Sequence, residues 1–354
     1  MKKINVLMIG VSKKTKGGMW TVVNNYLNSN DYHNNIKIKY ISTATIGKPI
    51  YRLIYSVIGV LRSFIQIIFK RPQLVHIHMS EKGSVWRKGA IVNLCYFLKV
   101  PVIIHLHGAD FQIWYENISE KSKIRVEKIL NKGSKILILG NYWRSFIETI
   151  IEERNKIVVL YNSVEEQPYL YSDKSTDIIF LGAVIERKGI IDLIDAIDLI
   201  RNKIPQKWRL RIFGPTFNLD IEKIINDKNL HEYINYEGFI EAESIKDILS
   251  EVAFNVLPSY NEGLPMTILE TMSFGIPSIA TAVAAVPELV MHNANGVLQN
   301  PGDVETLGNN LLLMMQNTEL RSRFSKESYK TINEKFLLNT HVQKLLEIYK
   351  QVLD

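Results

Sequence analysis

Cysteine is almost absent from this sequence of 354 residues. The single cysteine, Cys95, excludes an internal disulfide and any zinc site built from several thiolates. Cys95 lies within the apolar run from Ile91 to Leu98, so we expect a buried structural thiol. The eight histidines show no metal-ligand spacing beyond pairs, and no suitable loop carries a close acidic pair. The sequence therefore predicts neither a bound metal nor a cofactor.

Internal repeats, low-complexity tracts and nucleic-acid-binding signatures are also missing. The first residues, MKKINVLMIG, resemble a signal peptide only superficially, because their apolar run is short, contains Asn5 and fits a strand better. We therefore expect a cytoplasmic protein. Hydrophobic residues make up 46% of the chain and charged residues 22%, which is ordinary for a globular protein. The chain length suits two domains.

Charge is distributed unevenly along the chain. Residues 1–165 contain 25 Lys and Arg against 10 Asp and Glu, a net charge of +15, whereas residues 166–354 carry a net charge of −8. A basic half is typical of a domain that meets an anionic partner. An anionic membrane surface or a diphosphate-bearing lipid is favoured over nucleic acid, for which no module is found. We expect peripheral attachment to the inner face of the plasma membrane.

Short apolar strands alternate with amphipathic helices along the whole chain. This alternation predicts an α/β protein with two doubly wound parallel sheets, in domains 1–165 and 166–354. The longest apolar stretch is Ile50 to Phe69. Three interpretations stay open for it, in this order: a helix packed within its domain, an interfacial membrane-docking helix and a membrane-spanning helix. Its small or polar residues recur at helical spacing: Arg52, Ser56, Gly59, Ser63 and Gln66.

The stretch Ser259 to Phe274, SYNEGLPMTILETMSF, follows a buried strand and continues as a helix. Pro265 is well placed for the first turn of that helix. Glu262 falls in the loop, and Glu270 lies about one turn inside the helix. A strand, a glycine-containing loop and a helix N-terminus together favour anion binding at the edge of a parallel sheet. Two carboxylates beside a phosphate site suggest a sugar nucleotide, although a self-capped helix with an exposed Glu270 has the same spacing.

Two further loops are basic and glycine-rich. Residues 12–18, SKKTKGG, end in Gly17 and Gly18, and residues 182–189, GAVIERKG, include Arg187 and Lys188. Glycines and cations before a helix suit phosphate, although a mobile connector or a solvated turn has a similar composition.

Histidines follow or occupy two of the predicted strands. His107 follows the strand from Pro101 to His105, after Leu106, where a parallel sheet opens its ligand crevice. His76 and His78 share one face of the preceding strand. They could suggest a metal site, but we expect a strand end that lines the crevice.

Glu262 and Glu270, with Gly263-Leu264-Pro265 between them, resemble the E-x7-E element of the retaining family-four glycosyltransferases of GT-B fold. The similarity extends over nearly the whole chain and includes Asn162-Ser163-Val164, where Ser163 replaces the family's glycine. The resemblance implies two Rossmann-like domains that face each other across a cleft. The N-terminal domain would bind the acceptor and the C-terminal domain the nucleotide-sugar, with the last helix crossing back to the first domain.

The resemblance also implies roles for individual residues. His107, Glu262 and Lys188 would be catalytic, and Asp110 would contact the acceptor. The family usually has Arg at the position of Ala183, so one diphosphate contact is missing and Arg187 is expected to replace it. Donor contacts are expected at Gly17, Gly18, Arg187, Lys188, Phe239, Ile240, Gly263, Leu264, Pro265, Met266, Thr267 and Glu270.

The activity implied by the resemblance is transfer of a hexose or N-acetylhexosamine from a nucleotide-sugar, with UDP as the expected nucleotide. The acceptor would be a glycan or a polyprenyl-diphosphate-linked glycan of a bacterial surface polysaccharide. The reaction would need no metal and would retain the anomeric configuration. A nucleotide-sugar epimerase of the same fold and a non-catalytic sugar-nucleotide-binding protein remain alternatives, with a nucleic-acid binder third.

Overall fold

The computed structural model describes residues 3–15, 17–217, 219–240 and 244–354. They form two compact units. The N-terminal unit comprises Met1–Ser163 and Leu338–Asp354, and the C-terminal unit comprises Val164–Leu337. The chain leaves the first unit two residues before the boundary that the sequence predicts.

The N-terminal unit contains a parallel sheet of six strands, as far as the chain is described. Their spatial order is β2-β1-β3-β4-β5-β6, so the chain reverses its direction of travel across the sheet between β1 and β3. The strands are β1 (Ile4–Gly10), β2 (Ile36–Ser42), β3 (Leu74–Met79), β4 (Val102–Leu106), β5 (Lys135–Ile138) and β6 (Ile157–Val159).

The helices of this unit connect successive strands, as parallel pairing requires. They are α1 (Gly18–Asn28), α2 (Asn30–Asn35), α3 (Pro49–Ile65), α4 (Gly83–Phe97), α5 (Phe111–Asn117), α6 (Glu120–Asn131) and α7 (Tyr142–Ile147). A π-helical turn, Gln66–Lys70, extends α3. The short helices α2 and α5 are not predicted from the sequence, because neither is long enough to show a clear apolar period.

The C-terminal unit has a second parallel sheet with the order β12-β11-β10-β7-β8-β9 in the described residues. Its strands are β7 (Asp177–Leu181), β8 (Arg209–Phe213), β9 (Ile234–Gly238), β10 (Val252–Leu257), β11 (Ser278–Thr281) and β12 (Gly296–Gln299). Its helices are α8 (Ile190–Ile200), α9 (Ile221–Asp227), α10 (Ile245–Leu249), α11 (Met266–Ser273), α12 (Val304–Gln316) and α13 (Thr318–Lys335). The strand order reverses between β7 and β10, which is where open α/β sheets bind ligands.

The last helix, α14 (Leu338–Leu353), packs in the N-terminal unit. Its buried His341 and Tyr349 lie against a layer of tyrosines and histidines. The hydroxyl of Tyr26 is 2.5 Å from Nε2 of His341, and the hydroxyl of Tyr349 is 2.6 Å from Nδ1 of His76. Polar rings therefore take the place of aliphatic side chains in this layer, although Nε2 of His76, Nε2 of His78 and both ring nitrogens of His105 have no hydrogen-bond partner among the described residues.

Helix α3 packs in an unusual orientation. Its buried residues are Gly59 and Ser63, both from the small or polar stripe, whereas most of its large apolar residues are exposed. The segment Pro49–Lys70 is long and apolar enough to cross a membrane by length and composition, and only 17% of its most apolar window is buried. The sequence pattern favours a helix packed within its domain. In the structure α3 packs on its domain through its small residues and not through its large apolar residues.

Candidate active site

Two loops meet at the carboxyl ends of β7 and β10. Gly189, in the loop after β7, has φ +69°, and a Cβ at this position would overlap the carbonyl oxygen of Pro258. Only glycine combines that left-handed backbone with such close contact. The close approach brings the basic loop after β7 against the loop that begins the E-x7-E element, at the point where the strand order reverses.

Lys188 and Glu262 form a nearly buried ion pair at this junction. Nζ of Lys188 lies 2.5 Å from Oε1 of Glu262, and their side chains are 14% and 7% exposed. The hydroxyl of Ser259 donates to the same oxygen at 2.7 Å. Oε2 of Glu262 has no hydrogen bond to any described residue, so the carboxylate holds the cation with one oxygen and keeps the other available.

Arg187 ties the same two loops together. Its guanidinium donates to the carbonyl oxygen of Asn261, and its own carbonyl oxygen accepts from the backbone N–H of Tyr260 at 2.8 Å. Ala183 occupies the position where the family usually has arginine. In this structure the guanidinium of Arg187 lies beside the E-x7-E loop instead. Two cations therefore lie next to Glu262, where the sequence predicts phosphate contacts.

Helix α11 begins at Met266, where the sequence pattern predicts it, with Pro265 as its N-cap. No side chain caps this end of the helix. Oγ1 of Thr267 is buried without a hydrogen-bond partner among the described residues. A helix start with uncapped N–H groups and an unsatisfied hydroxyl is suited to receive an anion. The preceding Gly263 and Leu264 are buried and fix the approach of the loop.

Glu270 has a strongly perturbed carboxyl. Burial raises the pKa of Glu270 to about 7, although the residue keeps partial exposure to solvent. No described side chain donates to its carboxylate, so the group is a hydrogen-bond acceptor without a protein donor. Unpaired carboxyls with raised pKa values are frequent at functional sites. The alternative of a solvent-exposed Glu270 is excluded.

The turn after β9 contains the two residues expected near the nucleobase. Gly238 ends the strand with φ +73°, and Phe239 is 45% exposed. Ile240 is partly buried and packs against the core cluster that includes Leu181 and Phe213.

Gly17 and Gly18 lie at the start of α1, and the structure around Gly17 does not require a glycine. Gly17 is the N-cap of α1, and a Cβ there would lie 3.7 Å from the carbonyl oxygen of Thr15, an ordinary van der Waals contact. Its backbone is extended, which other residues also adopt. Folding alone therefore does not require glycine at Gly17, and the predicted close approach of a ligand at Gly17 and Gly18 stays a prediction.

His107 follows β4 in the N-terminal unit. Its Nε2 lies 2.8 Å from Nδ1 of His78. Burial, followed by the nearby His76 and Lys88, lowers the pKa of His107 to about 3, so the imidazole is neutral at physiological pH. A neutral imidazole has one donor and one acceptor nitrogen. Asp110, the expected acceptor contact, is the N-cap of α5.

His76, His78 and His105 are fully buried, and Tyr349 of α14 packs on His76. The expectation that His76 and His78 line an open crevice is therefore wrong, because α14 returns to cover this face. Ligand nitrogens of the three residues lie within 4.8 Å of one another and could hold a metal ion. The rings of His76 and His78 are stacked at an interplanar angle of 19°. Their nitrogen lone pairs are therefore nearly parallel and do not converge on one point, so one ring would have to rotate before both could bind the same ion.

Lys88 is a charged residue that sequence reasoning missed. It lies fully buried on α4, and Nζ donates to the carbonyl oxygen of His78 and, at 3.0 Å, to the hydroxyl of Ser84. Burial, with a contribution from Arg87, lowers the pKa of Lys88 to about 7. Nothing in the local sequence distinguishes Lys88 from an exposed helical lysine.

Comparison with known proteins decides the family. Residues 163–331 match the family model of the group 1 glycosyl transferases. An uncharacterised glycosyltransferase of Methanocaldococcus jannaschii is 28% identical over 283 residues, which cover 79% of this chain and 76% of that protein. Residues 163–331 therefore form a group 1 glycosyl transferase domain, and the chain is a glycosyltransferase. The predicted family and enzyme class are thereby confirmed, and the epimerase alternative receives no support.

Two further proteins resemble this glycosyltransferase. The GDP-mannose:cellobiosyl-diphosphopolyprenol α-mannosyltransferase of Xanthomonas oryzae pv. oryzae is 22% identical over 294 residues, covering 79% of this chain and 71% of that one. The crystal structure of Anabaena HepE in complex with UDP-glucose matches with a TM-score of 0.77 at 16% identity, covering 98% of this chain and 100% of that chain. The structural match and the two parallel sheets confirm the predicted GT-B fold.

Proposed function

We propose that this glycosyltransferase transfers a hexose or N-acetylhexosamine from a UDP-sugar to a polyprenyl-diphosphate-linked glycan, in the cytoplasm and without a metal ion. The observation that carries the donor site is the junction at β7 and β10, where Lys188, Glu262 and the uncapped start of α11 come together. The match to a UDP-glucose complex supports UDP, and the relative named for a diphosphopolyprenol acceptor supports the lipid-linked glycan.

The leaving diphosphate is stabilised by positive charge and by backbone N–H groups. Lys188 and Arg187 supply the charge, and the first N–H groups of α11 supply the hydrogen bonds. Groups of this kind contribute about 3 kcal/mol each to transition-state stabilisation when they are preorganised. Because these groups neutralise the developing charge, the reaction needs no metal.

Glu262 has two tasks in this proposal. One oxygen holds Lys188 in place, and the free oxygen accepts a hydrogen bond from a hydroxyl of the transferred sugar. Glu270 accepts the ribose hydroxyls, which replace the missing protein donors. His107, neutral at physiological pH, donates a hydrogen bond to the sugar, and Asp110 contacts the acceptor.

The departing phosphate deprotonates the acceptor hydroxyl on the same face of the sugar, so the anomeric configuration is retained. Retention is tested by NMR of the product anomer with an isolated acceptor, and inversion would overturn this step.

A thermal-shift panel of UDP-, GDP-, ADP- and TDP-sugars, with and without EDTA, tests the donor site. We expect a rise in Tm with UDP-sugars only, unchanged by EDTA and clearly smaller in Glu270→Gln at the same ligand concentration, because a ligand bound to the native state stabilises it by mass action. A rise with another nucleotide would change the donor class. A rise lost with EDTA would overturn the metal-free mechanism, and no rise at all would overturn the donor site.

A further inference from the structure

Helix α3 turns its small residues inward. A Cβ at Gly59 would lie 2.5 Å from the carbonyl oxygen of Ser42, so the helix backbone rests directly on the end of β2. Ser63 donates its hydroxyl proton to the carbonyl oxygen of Gly59 at 2.8 Å, which satisfies it within the helix. This side is therefore fixed to the domain, and the opposite side faces outward.

The outward side is largely apolar, with Arg52 and Arg62 among its exposed residues. A helix of a soluble domain normally buries its apolar stripe and exposes its polar one, and α3 does the reverse. Ile50 and Phe69, at the two ends of the segment, are each 74% exposed. The large apolar residues exposed between them are Tyr51, Leu53, Ile54, Val57, Ile58, Leu61, Ile65 and Ile68.

Helix α4 contacts α3 and ends in further exposed apolar residues. Tyr96 and Phe97 are 62% and 80% exposed. Monomeric soluble proteins rarely expose apolar patches larger than about 600 Å², and larger ones mark interaction sites. We call the exposed side of Pro49–Lys70 together with Tyr96 and Phe97 the apolar face.

The part of the sequence that contains the apolar face is predominantly basic. The sequence from Tyr32 to Ala109 contains 11 Lys and Arg and one acidic residue, Glu81. Lys48 and Arg71 flank the α3 segment, and both are exposed. A second copy of the chain would bring two such basic faces together, which like-charge repulsion disfavours. An anionic lipid leaflet offers both the apolar phase and the opposite charge.

We propose that the apolar face lies in the boundary between head groups and acyl chains of an anionic leaflet, with α3 parallel to the membrane surface. The inward contact of Gly59 with Ser42 holds the helix on its domain, so it does not leave to span the bilayer. Arg52 and Arg62, both exposed, can reach the head groups while the neighbouring apolar side chains enter the leaflet. This inference rests on the proposed function only for its biological purpose, which is access to a lipid-linked acceptor. Its physical basis is the apolar face and the positive charge of the surrounding sequence.

Vesicle flotation with the full chain tests the proposal. Vesicles of phosphatidylcholine alone are compared with vesicles that contain phosphatidylglycerol as well. We expect the native protein to float with the anionic vesicles and largely to remain free of the neutral ones. Leu53→Asn/Leu61→Asn should weaken partitioning about a hundredfold, since burying one leucine accounts for about tenfold. Arg52→Gln/Arg62→Gln should reduce binding to anionic vesicles selectively.

The matched control is Ile124→Asn/Leu199→Asn, which replaces apolar residues that are 49% and 60% exposed outside the apolar face. It should float like the native protein. If the leucine variant floats as well as this control, or if the native protein stays free of anionic vesicles, the proposal is overturned. Loss of a stable dimer in the leucine variant, without an effect on flotation, would assign the face to a second copy. Tm shifts with UDP-sugar, measured without vesicles, report the donor site separately.

Discussion

Glu270 is the residue whose ionisation links donor binding to stability. Burial raises the pKa of the Glu270 carboxyl from the usual 4.5 to about 7. Between these pH values the carboxyl is protonated in the folded protein and ionised in the unfolded chain. Stability therefore falls as pH rises through this window. The carboxylate accepts hydrogen bonds better than the acid does, so affinity for the donor should rise over the upper part of the same window.

Replacing Glu270 by Gln should separate the two effects. At about pH 8 the unfolding free energy of the variant should be about 3 kcal/mol higher than that of the native protein, because the buried charge is gone. It should bind UDP-sugars at least about tenfold more weakly, and its remaining affinity should not change between about pH 6 and 8. Denaturant unfolding and calorimetric titration at several pH values measure both. Equal stability at high pH would contradict the burial of an ionised carboxyl.

The Lys188–Glu262 pair should behave as a coupled unit. Glu262→Gln leaves a nearly buried cation without its anion, and Lys188→Met leaves the anion without its cation, so each should lower the unfolding free energy by about 3 kcal/mol. The double variant should regain a large part of the loss. A double-mutant cycle of denaturant unfolding gives the coupling energy. All three variants should lose transferase activity, and additive losses of stability would contradict the pairing.

At the scale of the element, α14 and the histidine layer determine acid stability. Burial is the main cause that lowers the pKa of His76 to about 3 and of His341 to about 4, and it also lowers the pKa values of His78 and His105. Below about pH 6.5 the unfolded chain takes up protons that the folded layer refuses. Stability supplied by neutral histidines is therefore lost progressively as pH falls from about 6.5 towards 4.

Acid unfolding should follow from this layer. At about pH 5, each buried histidine lowers the unfolding free energy by up to about 2 kcal/mol relative to neutral pH. His341→Asn should make the dependence on pH less steep, although the variant is less stable at neutral pH because Tyr26 loses its partner. Denaturant unfolding between about pH 5 and 7.5 measures the slope. The exposed His231→Asn is the control and should keep the native slope; an unchanged slope in His341→Asn would exclude a role of the layer.

At the scale of the whole molecule, the two units differ in charge and in the ligand groups that they carry. The cations, the Glu262 carboxylate and the helix start expected to bind the diphosphate all belong to Val164–Leu337. His107, Asp110 and the apolar face belong to the N-terminal unit. The two proposals can therefore be tested on different parts of the chain.

Hydrogen exchange with mass spectrometry should reveal this division. UDP-sugar should slow amide exchange in peptides that cover 186–189 and 262–270, because the loop and the first turn of α11 would hydrogen-bond the donor. Peptides from α12 serve as the control and should not change. Anionic vesicles should instead protect Pro49–Lys70. Protection by the UDP-sugar confined to the N-terminal unit would contradict the donor site.

The sequence by itself determined the strand and helix pattern and the positions of Glu262, Glu270 and Lys188, because apolar periodicity and turn residues act locally. The family resemblance of the E-x7-E element is likewise local. Only the tertiary structure decided that Lys188 pairs with Glu262, since this contact spans 74 residues of chain and depends on how β7 and β10 lie together.

The same distinction explains what the sequence left open in the N-terminal unit. The helical period of α3 separates a stripe of small or polar residues from a side of large apolar residues, but it does not show which of the two packs on the domain. The structure buries Gly59 and Ser63, because only small residues allow the helix to lie on β2. The histidines of β3 look like the lining of a crevice until α14, more than 250 residues later, returns to cover them. Burial is a property of the folded chain, so no local pattern contains it.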